Sequence, residues 1–244
     1  MHPNKNKLII NADDFGLSPE INKAVIYSLE KGYINSASLM TNTPGFEEAV
    51  EYIKEKAYLN CIGIHVNLTE GKPLTNFSNP KYLNEDGTWN KKKIADNKLF
   101  FDSKTRNEIS SEIIAQIQLA EKRGIRPSHI NSHHHIHTLP ALFFLFLNIC
   151  RLRSYKLRIA QTNFNGNYLK FAYRKFINSM IKKSGLNFSD YFETVTSYNF
   201  RSNYFAENVV EIMTHPAFTK NAELTDLLSE DNSQFIFKCQ NTIQ

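Results

Sequence analysis

The chain has 244 residues, of which 41% are hydrophobic and 22% are charged, and its formal net charge is +5. This composition is ordinary for a soluble globular protein, and the length suits a single α/β domain with a large core. The lysines are scattered apart from short groups such as Lys91 to Lys93, so the charge indicates solvation and excludes a basic nucleic-acid surface.

Three features bear on the compartment. Cys61, Cys150 and Cys239 are far apart, which argues against a disulfide framework or a thiolate metal site and predicts buried small side chains. Residues 1–7 are polar and lack the regions of a signal peptide. The apolar run at 139–150 is shorter than the roughly 20 residues that span a bilayer. We therefore expect a cytoplasmic protein without a membrane partner.

The first strand ends in two carboxylates. Leu8-Ile9-Ile10 is a compact apolar run that is typical of a buried parallel strand, and Asp13 and Asp14 follow it directly. Ser18-Pro19 then predicts a helix start, with a capping side chain followed by proline at the first helical position. Adjacent carboxylates in an extended segment point in roughly opposite directions, so Asp13 and Asp14 cannot easily bind one ion together. The alternative is that the pair only caps the helix.

The next elements include a second strand that ends in a histidine. Strands are expected at 36–41 and 60–68, with His65 toward the end of the second, and a helix is expected at 46–56. Residues 71–107 are rich in turn-forming glycine, proline and asparagine, and we interpret them as a long insertion within a single domain that covers 1–244.

Five of the eight histidines fall between Pro127 and His137. Imidazole is costly to bury unless its nitrogens have partners, so the cluster indicates ligands or proton carriers rather than packing. As an extended strand, the segment would place all of its odd-numbered residues from His129 to His137 on one polar face. Such a face would line a cavity and favours a metal site. A solvated loop that binds metal incidentally is the alternative.

The remaining pattern completes a series of alternating strands and helices. A helix is expected at 139–153, a strand at 157–159, a basic helix at 167–183 and an apolar strand at 209–214 that ends in His215. This alternation predicts parallel strands joined by helices. A distorted (β/α) barrel would gather the polar residues at the strand ends on one face, whereas an open doubly wound sheet would leave some of them more remote.

One carboxylate and two neutral imidazoles would leave a divalent ion with a net charge of about +1. Such an ion polarises a carbonyl group and acidifies a bound water. His65 or His215 alone could be a structural histidine, but their shared placement at strand ends favours such a site.

Four motifs resemble those of the YdjC-like carbohydrate deacetylases, a family that includes chitooligosaccharide deacetylases. They occur in the family's order over most of the chain: Asn11-Ala12-Asp13-Asp14-Phe15-Gly16, Gly63-Ile64-His65, Ser132-His133-His134-His135-Ile136-His137 and Met213-Thr214-His215-Pro216. The resemblance implies a distorted (β/α) barrel, a divalent metal ion, hydrolysis of an N-acetyl group from a small amino-sugar substrate, and a homodimer. With such a substrate, the aromatic residues of the insertion either stack on a sugar ring or pack against the barrel: Phe77, Tyr82 and Trp89.

Carried over to this sequence, the resemblance assigns Asp14, His65 and His133 as metal ligands. It also assigns Asp13 as the general base and His215 as the acid that protonates the departing amine. Mg²⁺ is the ion usually assigned to the family, whereas the nitrogen-rich ligands would suit Zn²⁺ or another transition metal.

Three further residues are expected to contact the substrate or support the ligands, namely Asn131, His135 and Arg158. Asn131 stands where many family members have aspartate, and Arg158 is expected to hold Asp13 ionised. Two alternatives stay open. One is another metallohydrolase, such as a phosphoesterase or amidohydrolase, and the other is a sugar- or metal-binding protein without activity.

Overall fold

The computed structural model describes residues 7–228 apart from 57, 97–99, 165 and 202–207. Cys239, for which we predict burial, lies outside these residues. Cys150 is buried as predicted, while Cys61 is partly exposed, and neither forms a disulfide. No helix within the described part of the chain has the length and apolar character needed to cross a bilayer.

Seven parallel strands form the central sheet, which is curled into a half-barrel and is covered by helices. The order across the sheet is β5-β4-β3-β2-β1-β7-β6. The predicted α/β class and distorted barrel are therefore confirmed. In chain order the strands are β1 (Lys7–Phe15), β2 (Ser36–Leu39), β3 (Ile62–Val66), β4 (His129–Ser132), β5 (Lys156–Leu157), β6 (Tyr191–Thr194) and β7 (Val209–Thr214).

The two ends of the sheet approach each other without pairing as strands. The chain just beyond β5 reaches toward β6, where the Thr162 amide donates to the Phe192 carbonyl at 3.0 Å. The Leu157 amide likewise donates to the Leu186 carbonyl at 2.7 Å. The carboxyl ends of all seven strands consequently surround one shared region, as in a barrel.

The longest strand, β1, carries an irregularity at its carboxyl end. Its pairing with β2 is in register at Ala12 and resumes at Phe15, with a shift between them. Asp14 lies in this shift with φ of 65°, a left-handed conformation that is uncommon for residues other than glycine. A bulge of this kind re-aims the side chains around it. Asp13 and Asp14 therefore leave the strand in different directions.

In the described part of the chain, seven α-helices connect or follow the strands. As predicted, Ser18 caps the first helix, with its side chain accepting from the Ile21 amide and proline at the first position. A short antiparallel hairpin follows β7 and packs against α1. The helices are α1 (Pro19–Glu30), α2 (Phe46–Glu55), α3 (Lys91–Asp96), α4 (Ser103–Lys122), α5 (Pro140–Arg153), α6 (Tyr168–Lys183) and α7 (Val195–Arg201), and the hairpin strands are β8 (Pro216–Phe218) and β9 (Leu224–Asp226).

The predicted insertion at 71–107 packs onto the body of the protein. Its aromatic residues Phe77, Tyr82 and Trp89 are all buried, so packing rather than sugar stacking is the observed alternative. The helix α4 begins at Ser103, inside the predicted insertion, because Asp102 caps it by accepting from the Thr105 amide. Among the residues that the structure describes there are also three short 3-10 helices, at Tyr58–Asn60, Pro80–Tyr82 and His133–Thr138.

Candidate metal centre and active site

Three side chains from three strand ends converge at the carboxyl face of the sheet. Asp14 Oδ1 lies 3.1 Å from His65 Nε2 and 2.7 Å from His133 Nδ1. The three donor atoms all lie within 4.8 Å of one another, and all three residues are buried. His65 is the penultimate residue of β3, and His133 follows β4 directly. The parallel sheet thus brings Asp14 and His133 together although they are 119 positions apart in the sequence.

The residues present fit a divalent ion. The donor set is one carboxylate oxygen and two imidazole nitrogens, which is a common protein ligand set for a catalytic metal with open positions. Asp14 Oδ1 is buried, and its approaches to the two imidazoles lack hydrogen-bond alignment, so it has no hydrogen-bond partner among the described residues. A bound cation would supply the missing partner for this buried oxygen.

Charge strongly couples the three candidate ligands. Burial alone would raise the pKa of Asp14, but the close contacts with His133 and then His65 hold it well below the usual range. Burial likewise disfavours the charged form of His133, and the carboxylates of Asp14 and Glu70 outweigh that effect, raising its pKa to about 9. Without a cation the site therefore holds a proton on His133 at neutral pH, and a metal ion would have to displace it.

Asp13 points away from Asp14 into a buried ion-pair cluster. Arg158 donates from Nη1 and Nη2 to the two oxygens of Asp13, each at 2.7 Å, and from Nε to Glu211 at 2.7 Å. Burial opposes ionisation of Asp13, but the Arg158 charge prevails and keeps the pKa of Asp13 far below its usual range. The predicted contact that keeps Asp13 ionised is thus present in the structure.

His65 has a second partner on the neighbouring strand. Its Nδ1 lies 2.7 Å from the side-chain amide of Asn131, which is fully buried on β4. Metal-binding histidines commonly use the other ring nitrogen to contact a group that fixes the tautomer. Asn131, which is expected to contact the substrate or support the ligands, therefore lies against the ring nitrogen of His65 that is turned away from Asp14.

The histidine segment does not continue as an extended strand. β4 ends at Ser132, and His134 and His135 adopt left-handed conformations with φ of 52° and 54°. The predicted single polar face is therefore wrong beyond Ser132. His137 turns inward and its Nδ1 meets Ser132 Oγ at 2.6 Å. His129 stacks on Phe188 in the core, and burial holds its pKa well below the usual value.

His135 remains near the candidate site. It lines a cavity with the β6 residue Thr194 and the α6 residue Arg174. Burial, and then the charge of Arg158, lower the pKa of His135 to about 3, so the imidazole is neutral at physiological pH. A neutral imidazole donates one hydrogen bond from its protonated nitrogen and accepts one at the other nitrogen.

His215 follows β7 and is held by the hairpin. Its amide donates to Asp226 Oδ2 at 2.8 Å, and its carbonyl accepts from the Leu227 amide at 3.0 Å. Thr214 on β7 pairs with Ala12 on β1, so His215 and Asp13 directly follow the same pair of neighbouring residues in the sheet. Within the described residues, the buried Nδ1 atom of His215 has no hydrogen-bond partner.

Two carboxylates near the site, Glu70 and Glu211, are absent from the predicted site residues. Glu70 lies in the loop after β3, and its Oε1 faces His133 Nε2 at 3.3 Å. Glu211 is an acidic residue inside the otherwise apolar strand β7, a signal that could have been used. Glu70 thus adds a carboxylate next to the candidate ligand His133, and Glu211 adds one next to Arg158.

Comparisons with known proteins agree with this arrangement. Residues 7–239 match the model of the family described as YdjC-like protein. A carbohydrate deacetylase of Brevibacillus brevis is 32% identical over 90% of this chain and 84% of its own length. A chitooligosaccharide deacetylase of Escherichia fergusonii is 31% identical over 88% of this chain and 82% of its own length.

A solved structure shares the fold. It is an Enterococcus faecalis V583 protein provisionally described as a cellobiose-phosphate cleavage protein. It superposes with a TM-score of 0.71 at 27% identity, covering 89% of this chain and 84% of that one. On the strength of the matching family model, and of relatives above 30% identity along most of both chains, this chain belongs to the YdjC-like family.

Proposed function

We propose that this protein is a hydrolase that removes the N-acetyl group from an N-acetylated amino sugar or chitooligosaccharide with the help of a divalent ion. The main support is the convergence of Asp14, His65 and His133 on one point, beside Asp13, in a member of the YdjC-like family. The names of the relatives from Brevibacillus brevis and Escherichia fergusonii support the choice of carbohydrate deacetylation.

Asp14, His65 and His133 would hold the ion. A divalent ion at these donors supplies a Lewis acid that polarises the acetyl carbonyl and lowers the pKa of water. Family resemblance favours Mg²⁺, and the two imidazole nitrogens favour Zn²⁺ or another transition metal. The measurement of metal content after purification from metal-defined medium distinguishes these two choices.

Asp13 would act as the general base. Its Oδ1 accepts from Asn11 Nδ2 at 2.8 Å and from Arg158, whereas its Oδ2 accepts from Arg158 alone among the described residues. One lone pair on Oδ2 therefore remains to receive a proton from the attacking water. Because its pKa is held low, Asp13 is a weak base and suits a water molecule that is already acidified.

His215 would protonate the departing amine. When the tetrahedral intermediate collapses, the C–N bond breaks and the sugar nitrogen takes a proton from the imidazole, which leaves free amine and acetate. The contacts with Asp226 and Leu227 hold the His215 backbone at the end of β7. The pairing of Thr214 with Ala12 supports this role, because it places His215 on the strand next to that of Asp13. His135 and Asn131 would act from beside the substrate and behind the ligand, respectively.

The test is acetate release from N,N′-diacetylchitobiose and longer acetylated chitooligosaccharides, with and without a chelator. We expect release that stops with chelator, returns with added ion and falls at least 100-fold in His215→Ala, while the matched His134→Gln variant retains activity. His134 suits the control because both of its ring nitrogens have partners outside the proposed ligand set. Its Nδ1 lies 2.9 Å from Thr69 Oγ1, and its Nε2 lies 2.6 Å from Lys91 Nζ.

Failure to release acetate from a panel of N-acetyl sugars would refute the proposal. Hydrolysis of phosphate esters in that panel would instead identify another metallohydrolase. Calorimetric binding of sugar without turnover would identify a binding protein. The homodimer and the cytoplasmic location stay predictions, which light scattering and cell fractionation test directly.

A further inference from the structure

The side-chain amide of Asn131 lies between a candidate metal ligand and a buried cation. On one side is Nδ1 of His65, at 2.7 Å. On the other side are Ser38 Oγ at 2.7 Å and the guanidinium of Arg158, whose three nitrogens lie 2.9 to 3.3 Å from the nearer amide atom. All four side chains are buried, so each hydrogen-bonding atom must find its partner inside the cluster.

Rotation of the Asn131 side-chain amide by 180° exchanges the positions of its oxygen and its nitrogen. With the oxygen toward His65, the amide NH₂ faces the donor groups of Arg158, which is a contact between two donors. With the oxygen toward Arg158, that oxygen accepts from the cation and from Ser38, and the NH₂ group donates to His65 Nδ1 and to the Ile64 carbonyl at 3.2 Å. The second orientation satisfies every atom of the amide.

The two orientations require different tautomers of His65. If Nδ1 accepts from Asn131, a neutral His65 must carry its proton on Nε2, the atom that faces Asp14 Oδ1 at 3.1 Å. A metal ion at Asp14 would need the lone pair of that same Nε2 atom. Binding would therefore require the proton to move to Nδ1 and the amide to turn its NH₂ group toward Arg158.

We propose that Asn131 is a positioning residue that weakens metal binding, because its preferred amide orientation keeps the His65 proton on the nitrogen that must hold the ion. The inference rests on the metal site of the proposed function. The Asn131 amide has one oxygen atom, which either accepts from Arg158 or accepts from a proton-bearing Nδ1 of His65. It cannot do both at once. A carboxylate at this position would accept from both neighbours at once and would remove the conflict.

The first test is the tautomer of His65 in the wild-type protein without metal. The protein is labelled with ¹⁵N-histidine, the His65 signals are assigned by their loss in His65→Gln, and two-bond ¹⁵N–¹H correlations identify the protonated nitrogen. We expect the proton on Nε2, and on Nδ1 after addition of Zn²⁺. A proton on Nδ1 before Zn²⁺ is added would overturn the inference.

The second test is the Zn²⁺ dissociation constant, measured at one pH against a chromophoric chelator. Asn131→Asp is expected to bind Zn²⁺ about 10- to 100-fold more tightly than the wild type, the range that such supporting residues control. Because aspartate also adds a negative charge, Asn131→Ala is the matched control, and it should bind several-fold more tightly without any added charge.

Equal or weaker Zn²⁺ binding by Asn131→Ala would overturn the inference, because the amide would then have no opposing effect. An unchanged constant in Asn131→Asp would overturn it as well, and so would an absence of Zn²⁺ binding in all three proteins. Neither test measures catalysis. A protein that shows these shifts but releases no acetate would refute the proposed reaction and leave the role of Asn131 standing.

Discussion

Acidification should weaken metal binding by a predictable amount, because His133 must lose a proton before it can donate to an ion. The pKa of His133 without metal is about 9. Two pH units below that value, about 99% of His133 is protonated, which opposes binding by about 2.7 kcal/mol. Since the folded-state pKa is raised, the proton is held throughout the physiological range, and the apparent dissociation constant should increase about tenfold for each unit of pH decrease from 8 to 6.

Isothermal titration calorimetry with Zn²⁺ measures this directly. Titrations at pH 6, 7 and 8, each in two buffers with different ionisation enthalpies, give both the dissociation constant and the number of protons released. We expect about one proton per ion at pH 7. The His134→Gln variant is the control, because burial and the His133 charge lower the pKa of His134 to about 4, outside the range of the titration.

A dissociation constant that does not change between pH 6 and 8, together with no proton release, would refute this reasoning. It would mean that His133 is already neutral in the metal-free protein and that Asp14 and Glu70 do not hold its proton. A slope in wild type that disappears in His134→Gln would also contradict it, because the titrating group would then be His134.

Two further predictions concern stability. Arg158→Met leaves the buried carboxylates of Asp13 and Glu211 without their cation. It should lower the free energy of unfolding, measured in denaturant titrations, by about 3–5 kcal/mol. The control Arg153→Ala removes a partly exposed ion pair with Glu121 and should lower that free energy by less than about 1 kcal/mol. Similar losses in the two variants would contradict the burial argument. Gly63→Ala places a methyl group 2.3 Å from the ring of His129 and should cost about 1–3 kcal/mol, and an unchanged urea midpoint would show that the ring moves freely.

The fold and the meeting point of the ligands could be predicted because they follow from local patterns and one topological rule. Apolar runs such as Leu8 to Ile10 identify parallel strands, and the residues after such strands meet at one face. Correct strand assignments were therefore enough to predict that Asp14, His65 and His133 meet. The distances between them, 2.7 and 3.1 Å, needed coordinates.

The path of the histidine segment could not be predicted from alternation. Period-two alternation assumes a continuing strand, and left-handed conformations at His134 and His135 are rare for these residues and leave no mark in the pattern. The same is true of the shift in register at Asp14. Contacts with loops are also hard to predict, since Glu70 reaches His133 across 63 positions in the sequence. Glu211 was predictable in principle, because a carboxylate in an apolar strand needs a buried partner.

The hairpin after β7 has a consequence for how this chain can be shortened or varied. β8 and β9 lie beyond the last strand of the sheet, yet Asp226 and Leu227 fix the backbone on either side of His215. The hairpin is seated on α1, where Phe218 meets Tyr27 edge to face with 5.7 Å between ring centroids. A truncation after His215 would keep every strand of the central sheet but would remove both contacts that hold the backbone of this histidine. Substitutions in this hairpin would therefore change the position of His215 without altering the central sheet.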